Sequence, residues 1–139
     1  MLFREATTTD VAAAAQDSIS RAFKETVPAL NLNWVLEHEG RILAVGGIKL
    51  FSPGTAWVWM NYTTYALPHM KEVYRRTKKQ LDKLIVEHKL RRTMAVIKAD
   101  FPEAIRMIRH LGFQQESVMA RFWSDSLDGL LFVRFGEKN

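Results

Sequence analysis

The sequence predicts an α/β protein built on one mixed sheet with helices on both faces, in a single domain over residues 1–139. Three observations carry that reading. Three β-branched and aromatic runs follow one another through short turns, as in an antiparallel meander. The third is joined to the next apolar run by a long amphipathic segment, which makes those two strands parallel with a right-handed crossover. The stretch "RHLGFQQESVMARFW" from Arg109 ends a helix at Gly112 and restarts at once as a strand.

The elements follow in order. "LFREA" at 2–6 reads as a first strand. Thr7 and Asp10 then have the spacing of a capping box. Val11, Ala15, Ile19 and Ala22 or Phe23 form one helical stripe, broken at Pro28 with room for a short helical turn in "VPALNL". "NWVLEHEG" and "RILAVGGIKLF" flank a hairpin turn at His38–Gly40. Gly46 and Gly47 inside the second run point to a bulge or a close backbone approach. "SPG" at 52–54 turns the chain into "TAWVWMNYTTY", which reads as a strand through Tyr65. Both of its faces carry bulky residues, as in a central strand covered on both sides.

A long helix is predicted from about Pro68, whose fixed φ suits a first helical turn. Met70, Val73, Tyr74, Thr77, Leu81, Leu84, Ile85 and His88 trace its apolar stripe. "RTMAVIKA" is a strand. In "DFPEAIRMIRHLGF", Asp100 is predicted to cap a helix with Glu103 completing the box. "FQQESVMARFW" and "LLFVRF" form an antiparallel pair across "SDSLDG". The order is β-α-(α)-β-β-β-α-β-α-β-β.

Composition narrows the function classes. The 139 residues are 47% hydrophobic and 25% charged, which fits a soluble globular chain. No apolar run approaches the roughly 20 residues that cross a bilayer, so no membrane partner is expected. "MLFREATTTD" lacks the apolar core of a signal peptide. The absence of cysteine excludes disulfides, cysteine nucleophiles and thiolate metal sites, and fits a cytoplasmic location. The four histidines lack metal-ligand spacing, so no metal is expected. Net charge is +5. The excess is local: Pro68–Arg92 holds nine Lys/Arg against three acids. Such a run favours an anionic partner or is a solvated helix face. Arg75, Arg76, Lys79 and Lys83 could meet nucleic-acid phosphates, but aromatic interleaving and a reader motif are absent, so nucleic acid is not the expected partner. Any exposed faces of Trp34, Trp57, Trp59 and Trp123 are candidates for a homodimer surface, with core packing the default.

Three segments together resemble the GNAT superfamily of acyl-CoA-dependent N-acyltransferases: "FREATTTDVAAAA", "WVLEHEGRILAVGGIKL" and "FPEAIRMIRHLGFQQES". The resemblance covers nearly the whole chain, and the length and tryptophan-rich fourth strand are also similar to GNAT-like proteins of bacteriophages. It implies a GNAT-like fold and transfer of an acetyl or other acyl group from acetyl-CoA to an amine of a small molecule or protein. It implies that the pantetheine bonds the exposed edge of the fourth strand at about Tyr62, Thr63, Thr64 and Tyr65. The phosphates would lie on amides near His69, Met70, Lys71 and Glu72, with Lys71 and Arg75 as charge partners. A helix N-terminus holds such an anion through its unpaired amides.

Two departures stand beside the resemblance. The family's phosphate loop carries a basic residue and two glycines where this chain has Ala66, His69 and Lys71. Glycine there lets backbone approach phosphate closely, Lys71 adds charge, and Glu72 opposes it. The family's helix tyrosine, which protonates the leaving thiolate, is matched by Ile108. Tyr65 and His69 are the candidate catalytic residues in its place. Tyr62 is the alternative tyrosine, with core packing its commoner role. Histidine suits proton transfer because its titration range lies near neutrality. Glu37, His38 and Glu39 occupy a hairpin turn, where exposed charge is expected anyway. His88 and His110 fall on helix faces, where packing or solvent exposure accounts for them. Positioning two bound reactants supplies much of the rate, so a missing acid does not by itself exclude catalysis. The alternative is a catalytically degenerate GNAT-fold protein acting in host interaction or virion assembly.

Overall fold

The computed structural model describes residues 1–7, 9–10, 13–14 and 32–136. The predicted stripe from Val11 to Phe23 and the turn in "VPALNL" lie outside the described residues. The chain forms a seven-stranded mixed sheet. Its residues group into two units, one of Met1–Lys49 with Val58–Arg76, the other of Leu50–Trp57 with Thr77–Asn139.

In the first unit, β1 (Leu2–Glu5) pairs antiparallel with β2 (Leu32–His38), from Leu2↔Glu37 to Glu5↔Trp34. β2 pairs antiparallel with β3 (Arg41–Ser52), from Leu32↔Ile48 to His38↔Arg41. Their turn has Glu39 at φ 51° and Gly40 at φ 75°. Two successive left-handed residues match the twist of the flanking strands, which is why Glu-Gly closes this hairpin. β3 is buried without interruption from Leu43 to Ile48, as a strand covered on both faces is. The next strand in hydrogen-bonded order is β4 (Thr55–Tyr62).

Gly46 and Gly47 serve close approach, as their place in the strand predicts. A Cβ on Gly46 would stand 2.3 Å from the Trp34 ring. One on Gly47 would stand 2.5 Å from Asn33 Oδ1 and 2.6 Å from Trp59 Nε1. Trp34 is thereby buried and offers no dimer surface, while Trp57, Trp59 and Trp123 are half-buried. Ala6, Ala14, Val35 and Val45 form a small core on which Ile42 and Trp59 pack. The Thr7–Asp10 box is present: Thr7 N–H donates to Asp10 Oδ2 (2.8 Å) and Asp10 N–H to Thr7 Oγ1 (3.2 Å). Arg4 links it to the sheet through Asp10 (2.8 Å) and Glu37 (3.2 Å).

In the second unit, the first residues of β4 run parallel to β5 (Arg92–Lys98), from Thr55↔Arg92 to Trp57↔Met94. β5 pairs antiparallel with β7 (Gly129–Phe135) over its full length. β6 (Gln114–Met119) pairs with the other edge of β7. The last strand therefore lies between β5 and β6.

Two helices are described in full. α1 (Met70–Glu87) buries Val73, Thr77, Leu81, Leu84 and Ile85 of the predicted stripe, with Met70, Tyr74 and His88 half-buried. It starts two residues later than Pro68 predicts, because Pro68 sits inside a separate 3₁₀ helix, Thr64–His69. Its basic face is laced by Arg76–Glu72 (3.0 Å), Lys78–Asp82 (3.0 Å) and Lys83–Glu87 (3.8 Å), the i,i+4 pairs of a solvated helix. α2 (Pro102–His110) begins at Pro102 with Phe101 as N-cap and no side-chain cap. The predicted Asp100 box is not formed: Asp100 lies one residue too early, and Pro102 has no N–H to satisfy. Gly112, at φ 94°, ends α2 as predicted. Gly112 N–H donates to Arg109 O (3.0 Å) and Phe113 N–H to Ile108 O (3.2 Å), with Phe113 and Ile108 both buried. Those two bonds make a Schellman motif.

Candidate functional site

The site is built where β4 gives way to α1, all within the first unit. β4 stops at Tyr62 rather than running to Tyr65. Tyr62 N–H donates to the neighbouring Asn61 Oδ1 (3.0 Å), and a side chain replaces the ladder there. Thr63, 1% exposed, is latched to β3 twice: its N–H donates to Leu43 O (3.0 Å) and its hydroxyl to Ile42 O (2.6 Å). Thr64 and Tyr65 then enter the 3₁₀ helix, where Ala66 N–H returns to Thr63 O (3.1 Å).

This turn brings the β2–β3 hairpin into the site. The His69 ring meets the His38 ring edge to face, with centroids 5.0 Å apart. His38 Nε2 lies 3.8 Å from Glu39 Oε1. Arg41 places its guanidinium over the exposed Tyr65 ring. Sequence reasoning named Tyr65 and His69 separately and assigned His38 and Glu39 to an exposed turn. The structure puts each candidate against a hairpin residue. Arg41 was missed, because nothing local in the sequence shows which hairpin end meets the turn.

Tyr62 is a core residue, 9% exposed, with its ring against Tyr74 (6.4 Å) and its hydroxyl near Met60 Sδ (3.6 Å). At the start of α1, Lys71 and Arg75 are exposed. Glu72 does not stand as an isolated anion. Arg76 (3.0 Å) and Arg75 (3.5 Å) hold it, and the Arg76 hydrogen bond keeps its carboxyl below the usual range. Arg76 also donates to Met1 O (3.0 Å). Ile108 is buried on α2 and brings no hydroxyl. Among the described residues, no group of three or more His, Asp or Glu side chains converges as metal ligands do. No described helix is long and apolar enough to cross a membrane.

No protein-family model matches the sequence, and no curated protein matches it either. Solved structures do match. The ribosomal-protein-S18-alanine N-acetyltransferase of Escherichia coli superposes with a TM-score of 0.77, at 15% identity, over 99% of this chain and 95% of its own. This chain has the GNAT acetyltransferase fold. A spermidine N-acetyltransferase variant from Vibrio cholerae gives 0.75 at 8% identity, over 97% and 95%. The Salmonella typhimurium protein yncA, whose structure holds its cofactor acetyl-CoA, gives 0.72 at 16% identity, over 99% and 95%.

In the strand-to-helix turn of this chain, two backbone positions offer no free donor. Ala66 is fully buried and its N–H is taken by Thr63 O. Pro68 has no N–H. The turn instead carries charge on side chains, with Lys71 and Arg75 exposed beyond it and Arg41 beside it.

Proposed function

We propose that this GNAT-fold chain is an N-acetyltransferase that moves an acetyl group from acetyl-CoA to an amine of a small molecule or protein. The observation that carries the reading is superposition over nearly the full length of both chains with N-acetyltransferases, together with yncA, which holds acetyl-CoA. In this reading the pantetheine meets the end of β4 and the turn after it, at Tyr62–Tyr65. The diphosphate meets the segment His69–Glu72, with Lys71 and Arg75 as its cations. Glu72, neutralised by Arg76 and Arg75, does not repel it.

Acetyl-CoA supplies the activated acyl group. Attack by the amine forms a C–N bond and breaks the C–S bond. The amine nitrogen loses a proton, and the departing thiolate gains one. Tyr65 and His69 are the proposed groups for these transfers, each accessible on the 3₁₀ turn. Positioning of the two reactants provides the larger share of the rate.

The test uses the absence of cysteine. Free CoA thiol can be read directly, because the protein adds no thiol background. Incubation with acetyl-CoA and a panel of amines, including polyamines and peptide N-termini, should release thiol with at least one. Acetyl-CoA at 100 times its Kd should stabilise the fold by about 2.7 kcal/mol. The spent Ala66 N–H and the buried Ile108 favour a second reading, a GNAT-fold interaction protein without catalysis. No thermal shift at millimolar acetyl-CoA would select it.

A further inference from the structure

Asn61 is 5% exposed, on the last turn of pleat before β4 ends. Its two polar atoms are treated differently. Oδ1 accepts from Tyr62 N–H at 3.0 Å. Nδ2 is buried and has no hydrogen-bond partner. The amide orientation is fixed by chemistry: a flipped carboxamide would set N–H against N–H at Tyr62. The vacant donor is therefore the NH₂ group. A buried donor left without an acceptor is costly, and native structures rarely tolerate one without a purpose.

Its position gives the purpose. Thr63 N–H points to Leu43 on β3, so the preceding N–H, that of Tyr62, faces the opposite edge of β4. The ladder on that edge ends at Trp57↔Met94, short of Asn61, and an edge without a ladder can take an extended ligand as it would a strand. Asn61 therefore occupies the last N–H of this edge with its own oxygen and keeps a buried NH₂ group without an acceptor beside it. We propose that Asn61 Nδ2 is the binding contact for a carbonyl oxygen of the acyl-pantetheine arm. This rests on the acetyl-CoA reading above and names a residue for it. The carbonyl is either the acetyl thioester or a pantetheine amide, both being acceptors of the same kind. Asn61 is a positioning residue whose two ends link the strand edge to the ligand.

The experiment compares Asn61→Asp with the wild-type chain by calorimetric titration of acetyl-CoA and of CoA, from neutral pH downward. The variant keeps an acceptor for Tyr62 N–H but presents a second oxygen to the ligand carbonyl. Its affinity for acetyl-CoA should be roughly 10-fold or more weaker at neutral pH. The ratio to wild type should close as pH falls, because a protonated carboxyl again offers one acceptor and one donor. Loss with acetyl-CoA alone identifies the thioester carbonyl; equal loss with CoA identifies a pantetheine amide. If Asn61→Asp does not fold, Asn61→Ser, which keeps an oxygen near Tyr62 N–H, is expected to show the same neutral-pH loss. Wild-type-like affinity in the folded variant, or a ratio that does not move with pH, overturns the assignment and leaves the acetyl-CoA reading standing. A wild-type chain that binds neither ligand overturns both.

Discussion

Arg41 covers the ring of Tyr65, with its guanidinium carbon 4.4 Å from the ring centroid. The cation–π contact ties the β2–β3 hairpin to the turn that precedes α1 without using the tyrosine hydroxyl. The hydroxyl can therefore be removed with the ring and its contact left in place.

Tyr65→Phe is accordingly expected to leave acetyl-CoA affinity near wild type. If Tyr65 protonates the thiolate, kcat should fall by about 100-fold or more, the usual share of a positioned acid. Steady-state thiol release with a responsive amine measures both quantities. An unchanged kcat removes Tyr65 from the chemistry and leaves His69 as the group to test.

The charges at the start of α1 can be separated by two substitutions. Lys71→Ala should weaken acetyl-CoA binding by about 5-fold, the effect of one solvent-exposed charge pair. Glu72→Gln frees Arg75 and Arg76 from their shared partner, so binding should strengthen. Titration calorimetry reads both. A Glu72→Gln protein that binds more weakly would show that Glu72 orders the two arginines for the ligand.

Asp10 makes a stability prediction with a definite sign. Its hydrogen bond to Arg4 keeps the carboxyl far below the usual range, outweighing the opposing effect of burial. A carboxylate depressed in the folded state stabilises above its unfolded value, about 3.9, and that stabilisation fades as pH falls below it. Asp10→Asn should cost about 1 kcal/mol at pH 7, because the carboxamide still accepts from Thr7 N–H but loses the charged pair with Arg4. The deficit should shrink toward pH 2. Urea unfolding across that range checks it.

Two glycines are expected to resist substitution for different reasons. Gly112→Ala forces a side chain into φ 94° at the end of α2, at a cost of about 1 kcal/mol or more. Gly46→Ala drives a methyl into the buried Trp34 ring. It should cost about 1–3 kcal/mol and alter tryptophan fluorescence. Equal melting temperatures for Gly46→Ala and wild type would mean that the ring moves freely.

Features set by neighbours in sequence were legible; those set by distant partners were not. Glu39-Gly40, the α1 stripe and the Gly112 ending each depend on residues within a few positions, and each formed where expected. Gly46-Gly47 belongs with them, because a glycine pair in a strand signals close approach whatever the partner. The end of β4 was misread because residue type favours strand through Tyr65, whereas the Asn61 side chain captures Tyr62 N–H and Thr63 is bound to β3. The placement of β7 between β5 and β6 leaves no local mark, since the same alternation suits an edge or an interior strand. For the site, Tyr65 and His69 were legible by type, and their hairpin partners Arg41 and His38 were not.

The 3₁₀ segment Thr64–His69 spends the Ala66 N–H on Thr63 O and has no donor at Pro68. A nucleotide held there would depend less on fixed peptide dipoles and more on lysine and arginine tips reaching through water. Such attraction fades as dissolved ions crowd the surface. If acetyl-CoA binds at this turn, a modest rise in ionic strength should release it, where a glycine-lined cradle of amides would keep its hold.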